Sequence, residues 1–505
     1  MDLPILIPQL PGAALHWKLA TALAQVIEVG RLKPGSPFPS TRELADSTHL
    51  SRATVVKGMS ELRRHGYVVT RVGGKTYVAS DPPRHSVLTS GVKAEAPVNF
   101  DGQNLLDAAP DREIQLSAHA HNIVSLQICR PTSADAPELN YGAPPHWALP
   151  RGIWKRLLAK RCDEIDGTNL EYSPHPFGLQ SLRNGIADYL RRVKAINCDS
   201  REVIVFPGSQ GALASIASLL INDGDIVCVE NPGYVGARNS FAAVGAEVLP
   251  VPIDDQGLRV DKLRDLSREV IDRIKLIYVT PSFHDPTGVE MPIVRRIELI
   301  KFAALNDILI VEDGWDSDHI YVKPHLPTIR ALNGGKNVIY LYSFWKALYP
   351  LSSAGCMVVP ERFVNVFERA KALVDRQNPA LEHQALADYI SGGYFERGLK
   401  RTTQSLASKR KELITALKTG LGERVSVTRQ SAAFWLCITL RSSKTEQEVS
   451  QAATKAGLVM KPVSQYLAKE LDLNESISFE HRYLLPFGNM DGSLNERVRT
   501  FASLV

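Results

Sequence analysis

The chain has 505 residues, 44% of them hydrophobic and 22% charged, which is the composition of a core-forming chain too long for one ordinary domain; disordered, collagen-like and membrane-spanning classes are excluded. Its net charge of +5 lies wholly at one end, because residues 1–80 hold ten Lys and Arg against five Asp and Glu while the remainder is balanced. A small basic module joined to a large neutral one points to a polyanion contact near the N-terminus.

The six cysteines (Cys129, Cys162, Cys198, Cys228, Cys356 and Cys437) are scattered without CxxC or metal-ligand spacing, as expected of reduced thiols in a cytoplasmic protein with no metal site. The opening MDLPILIPQLPGA lacks the basic start and long apolar core of a signal peptide, and no run of about 18 apolar residues occurs. Export and membrane insertion are not expected.

In chain order, Leu15, Leu19, Leu23, Val26 and Ile27 fall near helical spacing, and Gly30 stops that helix. A short helix over Ser40–Ser47 follows the turn-forming PGSPFP. Ser51 is an N-cap for a longer helix that runs to about His65 and closes at Gly66. YVVTRV and KTYVAS, joined by Gly73-Gly74, read as a hairpin. Three helices and a hairpin over residues 14–80 make a winged helix-turn-helix. Residues 81–125, rich in Pro, Gly and Ser without sustained periodicity, read as a linker. From residue 126 to 505, the apolar runs VIVFPG, DIVCVE, KLIYVT, ILIVED and NVIYLYS alternate with amphipathic helices, as in an α/β fold whose mostly parallel sheet is covered on both faces.

The second helix of a helix-turn-helix enters the major groove with its N-terminal residues nearest the bases, and here these are Ser51, Arg52, Ala53 and Thr54. Arg52 can take guanine in a bidentate contact, while Ser51 and Thr54 suit phosphates or base edges. Arg42 opens the preceding helix, and Lys75 sits on the wing beside two glycines that allow close approach. A solvated surface charge is the competing reading of any one of them; their joint spacing favours double-stranded DNA. The string GRLKPGSPFPSTRELADSTHLSRATVVKGMSELRRHGYVVTRVGGKTYV resembles the winged helix-turn-helix of the GntR family of bacterial transcription regulators. That resemblance implies DNA contacts at Arg42, Ser51, Arg52, Thr54 and Lys75, with Val56 standing where relatives often carry another Arg.

Five elements follow in order: Gly208-Ser209-Gln210, Glu230-Asn231-Pro232-Gly233-Tyr234, Asp285-Pro286-Thr287-Gly288, Val311-Glu312-Asp313 and Ser343-Phe344-Trp345-Lys346. Each falls at the C-terminal end of a predicted strand, where open α/β sheets bind ligands. Together they look like a site for pyridoxal 5′-phosphate (PLP). Lys346 would form an imine with the cofactor aldehyde, and Asp313 would face the ring nitrogen while strand alternation turns Glu312 to the opposite face. Ser209 and Gln210 begin a helix whose free N–H groups favour a phosphate, Ser343 is a second phosphate donor, and Tyr234 offers a ring for stacking.

Residues 126–505 resemble fold-type I PLP-dependent aminotransferases with a smaller C-terminal α+β subdomain, and their union with a GntR-type head resembles the MocR subfamily of regulators. The family resemblance implies an aminotransferase-like body that senses an effector and works as a homodimer. Against the family pattern, a tyrosine is replaced by Trp315, a phosphate-binding arginine by Ser353, a small residue by Trp345, and an asparagine by Asp285. Arg482, in HRYLLPFG, is the candidate for an effector carboxylate. The expected protein is a transcription regulator without enzymatic turnover that senses PLP or a small amino or carboxylate compound. A PLP-dependent aminotransferase with a DNA-binding head, and a regulator whose body has lost PLP, remain the alternatives.

Overall fold

The computed structural model describes residues 13–28, 30–70, 75–83, 116–126, 145–165, 176–315, 317–319, 326–375, 378–429, 434–468, 479–490 and 493–505. They fall into two compact units that divide between residues 114 and 115.

In the first unit, α1 (Leu15–Glu28) turns Leu19, Leu23 and Ile27 inward, onto α3 (Arg52–Arg64). The approach is close at Gly58, where a Cβ would lie 3.0 Å from the His16 carbonyl oxygen, so a larger residue would push the helices apart. Between them α2 (Thr41–Thr48) begins with a capping box: the Ser40 side chain accepts from the Glu43 amide at 3.2 Å, and Glu43 accepts from the Ser40 amide at 2.7 Å. His49, in the left-handed region at φ 57°, ends α2 and redirects the chain into α3. The wing strands β1 (Val68–Thr70) and β2 (Thr76–Val78) pair antiparallel with Val68 opposite Val78, and both valines join the core. The expected turn at Gly73-Gly74 lies outside the described residues.

The second unit starts earlier than the periodicity indicates. Within the stretch expected to be linker, Ala118–Ser125 is a helix, capped by Ser117 and held to the body where His119 Nδ1 and Asn122 Nδ2 meet the Ala243 carbonyl at 2.7 and 3.3 Å. At eight residues with no buried side chain it leaves no apolar stripe to read.

Eight strands form the main sheet: β3 (Val203–Phe206), β4 (Ile226–Asn231), β5 (Glu247–Asp254), β6 (Gly257–Leu258), β7 (Ile274–Val279), β8 (Leu309–Asp313), β9 (Val338–Ser343) and β10 (Gly355–Val358). Their order is β3-β10-β9-β8-β7-β4-β5-β6; β10 and β6 run antiparallel to their neighbours, and the other pairs are parallel. Alternation divides the side chains between two layers. Val203, Val205, Tyr340 and Tyr342 pack beneath the helices Gln180–Lys194 and Ala380–Ser391, whereas Ile204, Phe206, Ile339 and Leu341 meet the helix Ser209–Leu220.

After the long helix Tyr394–Leu421, the smaller subdomain is an antiparallel sheet, β11 (Val425–Val427), β12 (Trp435–Leu440), β13 (Lys461–Pro462) and β14 (Arg482–Pro486), in the order β11-β12-β14-β13. The helices Glu446–Lys455 and Leu494–Leu504 share its core.

Candidate functional site

On the first unit, Arg42, Ser51, Arg52 and Lys75 are exposed and Thr54 is half-buried. Ser51 Oγ accepts from the Thr54 amide at 3.2 Å, and the two hydroxyls lie 2.8 Å apart. Ser51 therefore caps the helix and shares a hydrogen bond with Thr54, which leaves Arg52 exposed at the helix start with its guanidinium donors outward. Lys57, Arg63 and Arg64 continue the exposed positive surface of α3.

On the second unit, Lys346, Asp313, Tyr234, Ser209, Gln210 and Ser343 all line one open cleft of about 530 Å³ at the C-terminal ends of the parallel strands. Antiparallel β10 brings its N-terminal end to the same edge, since Gly355 pairs with both Phe206 and Ser343, and this places Ser353 in the cleft wall.

Asp313 is buried. Its Oδ2 accepts from the Tyr278 hydroxyl at 2.8 Å, and its Oδ1 has no hydrogen-bond partner among the described residues. Burial pushes the carboxyl up to about 7 against the opposing Tyr278 bond. Glu312 faces away, accepting from the Ile329 and Arg330 amides at 2.9 and 2.8 Å, so it caps the helix Ile329–Asn333 from behind the site. Beneath the cleft, Glu230 accepts from the Thr280 hydroxyl and amide at 2.6 and 2.9 Å, and burial raises it to about 8. His284, 3.7 Å away, is pushed down to about 3 by burial.

Gly208 precedes the helix Ser209–Leu220 at φ 87° and presents its first amides to the cleft. The Tyr234 hydroxyl donates to Gln210 Oε1 at 3.1 Å, and Gln210 Nε2 donates to Ser240 Oγ at 2.6 Å, which fixes the Tyr234 ring. Ser343 Oγ accepts from the Trp345 amide at 3.2 Å. Lys346 is buried with its Nζ between four rings, 4.5 Å from the centre of Trp315, 4.8 Å from Trp435, 5.1 Å from Phe434 and 5.5 Å from Trp345. Trp315 stacks on Trp435 at 5.3 Å and donates to the Phe283 carbonyl at 3.2 Å.

Arg482 is not brought into this cleft. It begins β14 opposite Thr439, half-buried, with its guanidinium 4.8 Å from the Phe479 ring, and it is not among the lining residues. The carboxylate contact expected of it lacks geometric support, because the strand's start lies away from the cleft while its later residues are buried in the subdomain core. Sequence reasoning missed Tyr278, Phe434 and Trp435. A lone tyrosine at the end of an aliphatic strand and an aromatic pair opening β12 were the available signals.

An open acceptor at Asp313 Oδ1, an amine at Lys346, a ring surface at Tyr234 and helix-start amides at Ser209 and Gln210 fit PLP on every side except the phosphate's charge, where Ser353 supplies none. The description "Aminotransferase class I and II" matches residues 146–475, more than half of the chain, and "Bacterial regulatory proteins, gntR family" matches residues 17–78. A probable rhizopine catabolism regulatory protein, MocR of Rhizobium meliloti, is 29% identical over 89% of this chain and 87% of its own length. The HTH-type transcriptional regulator TauR of Rhodobacter capsulatus is 29% identical over 81% of each. Among solved structures, the kynurenine aminotransferase of Pyrococcus horikoshii superposes with a TM-score of 0.65 at 24% identity, covering 79% of this chain and 97% of its own, a likeness of fold.

Proposed function

The chain belongs to the class I and II aminotransferase family, and because it joins that body to a gntR-type head in the manner of MocR-type regulators, we propose that it is a DNA-binding transcription regulator whose body senses PLP and an amino compound. The observation that carries this reading is one chain with both an exposed Arg52 at the start of a recognition helix and a cleft that gathers Asp313, Lys346 and Tyr234.

When bound, PLP supplies an aldehyde and an electron-withdrawing ring. Asp313 would accept the ring N–H through Oδ1 while Tyr278 holds its other oxygen. Lys346 would offer its amine to the aldehyde, the amides of Ser209 and Gln210 with Ser343 would take the phosphate, and the Tyr234 ring would stack.

Turnover demands a firmly held cofactor and a proton moved at the substrate α-carbon, and this cleft offers neither a hydroxyl at Trp315 nor a cation at Ser353 for those needs. A sensor needs only a ligand that distinguishes two states of the body. A homodimer presenting two heads to a repeated half-site, in the cytoplasm where the DNA lies, completes the reading. A second reading, a body that senses without PLP, is favoured by the aromatic surroundings of Lys346.

Operator DNA selected from random duplexes, titrated with and without PLP and a series of amines, tests the regulator reading. We expect affinity to change with ligand and transamination to stay negligible. Steady multiple turnover with operator binding indifferent to ligand would establish the enzyme instead, and a protein that never takes up PLP yet responds to an amine would establish the second reading.

A further inference from the structure

The inner face of α3 is made by Val55, Gly58, Met59 and Leu62, which are buried against the head's core. Val56 points the other way: it is 54% exposed, and within α3 it is the one large aliphatic side chain left in water. Arg52, Lys57, Ser60 and Arg63 are exposed with it, and within the helix the only apolar neighbour on that side is the small Ala53.

Val56 follows Arg52 by four residues and shares its side of the helix one turn on, a rise of about 6 Å. Base pairs step by about 3.4 Å, so the two side chains would reach positions within about two base pairs of each other. A valine can neither donate nor accept. Set against a phosphate, or against the edge of a G·C pair, it would leave polar groups without partners. The major-groove edge offers a single apolar feature, the 5-methyl group of thymine.

Resting on the regulator reading, we propose that Val56 is a specificity-determining residue that packs on the 5-methyl group of a thymine within about two base pairs of the guanine taken by Arg52. Pairing the two groups removes both from water, so the contact favours thymine over every other base at that position without a hydrogen bond.

The test uses the full chain and an operator selected from random duplexes. Each thymine is replaced singly by deoxyuridine, which deletes only the methyl group, and dissociation constants are read by fluorescence anisotropy at one fixed salt concentration. In each half-site one replacement should weaken the parent about fourfold, the burial of one methyl-sized group. Val56→Ala should bind the thymine and deoxyuridine duplexes alike, and Val56→Thr, which keeps one methyl, should retain part of the discrimination; unchanged thermal melts show that both variants fold. A parent indifferent to every replacement overturns the proposal, as does a Val56→Ala protein that keeps the parent's preference for thymine over deoxyuridine. Altered self-association with intact discrimination would assign Val56 to a protein contact and also overturn it. Failure of the parent to prefer any duplex over random DNA would instead sink the regulator reading itself.

Discussion

Lys346 and Trp315 are in direct contact, the Nζ atom lying 4.5 Å from the centre of the indole. Three more rings lie within 5.5 Å, so the amine stands in an aromatic box whose π faces attract a cation. Condensation with an aldehyde needs the uncharged amine, so these contacts oppose it. PLP should therefore bind this chain slowly and weakly, giving a yellow species that borohydride fixes onto Lys346. Lys346→Ala should give neither colour nor fixed label; a parent-like spectrum and affinity in that variant would remove Lys346 from the assignment.

Replacing Trp315→Tyr restores a hydroxyl and reduces the aromatic hold on the amine, and Ser353→Arg adds a cation at the edge where the Ser209 helix begins. A charge-assisted phosphate contact contributes roughly 1.5–3 kcal/mol, so the double variant should bind PLP one to two decades more tightly by spectrophotometric titration. No gain would mean that Ser353 does not face the phosphate.

Arg52→Ala should cost about 1–3 kcal/mol on the selected operator and relax the preference for one base. Lys75→Ala should weaken all duplexes alike and reduce the salt slope by about 1. Identical salt slopes and identical specificity in both variants would displace the recognition surface from α3 and the wing.

Burial holds Asp313 up at about 7 and Glu230 up at about 8. The folded state keeps protons there that the unfolded chain releases near ordinary carboxylate values, so this stability is fully present below about pH 4 and is lost as pH rises through the folded values. Unfolding midpoints of the ligand-free protein should fall between about pH 4 and 8. Asp313→Asn should flatten part of that slope, and bound PLP, whose ring N–H would pair with the carboxylate, should flatten it in the parent. A slope identical in all three states would show that Asp313 titrates as if exposed.

Asp318 is a half-buried carboxylate on the segment just beyond Trp315; Lys194, itself buried, lies 2.8 Å from it, and the hydroxyls of Tyr189 and Tyr342 both donate to it. Burial alone would raise its pKa, but Lys194 and the two hydroxyls outweigh burial and hold it below the ordinary value. Lys194→Ala would strand that charge and should destabilise the protein by roughly 3–5 kcal/mol. Lys194→Met combined with Asp318→Asn should recover most of the loss in chemical denaturation; no recovery would point to lost packing in place of charge.

The head was legible almost residue by residue, because caps such as Ser51 and the inward stripe of α1 are local signals. The main strands were legible as apolar runs, and alternation correctly turned Glu312 away from Asp313. The helix Ala118–Ser125 was not legible, because it buries nothing and is fixed by two side chains reaching the Ala243 carbonyl across more than a hundred residues of chain. Nor was the surrounding of Lys346: Phe434 and Trp435 arrive from β12, at a distance in sequence that no periodicity encodes. Arg482 was placed by counting along one strand, and a strand's position relative to a cleft in another subdomain is set by tertiary packing.

The helix cap at Glu312 has a companion in two buried arginines. Arg296 donates to the carbonyls of Met291, Pro327 and Pro281, and Arg330 donates to those of Val338 and Val359 and to Glu202. None of these three side chains lines the cleft, yet together they tie the backbone around residues 281, 291, 327, 338 and 359 to its surroundings. The bracing of these segments therefore does not depend on the side chains that line the cleft. A scaffold whose braces stand outside its workspace can exchange a side chain there, as at Ser353, without being rebuilt.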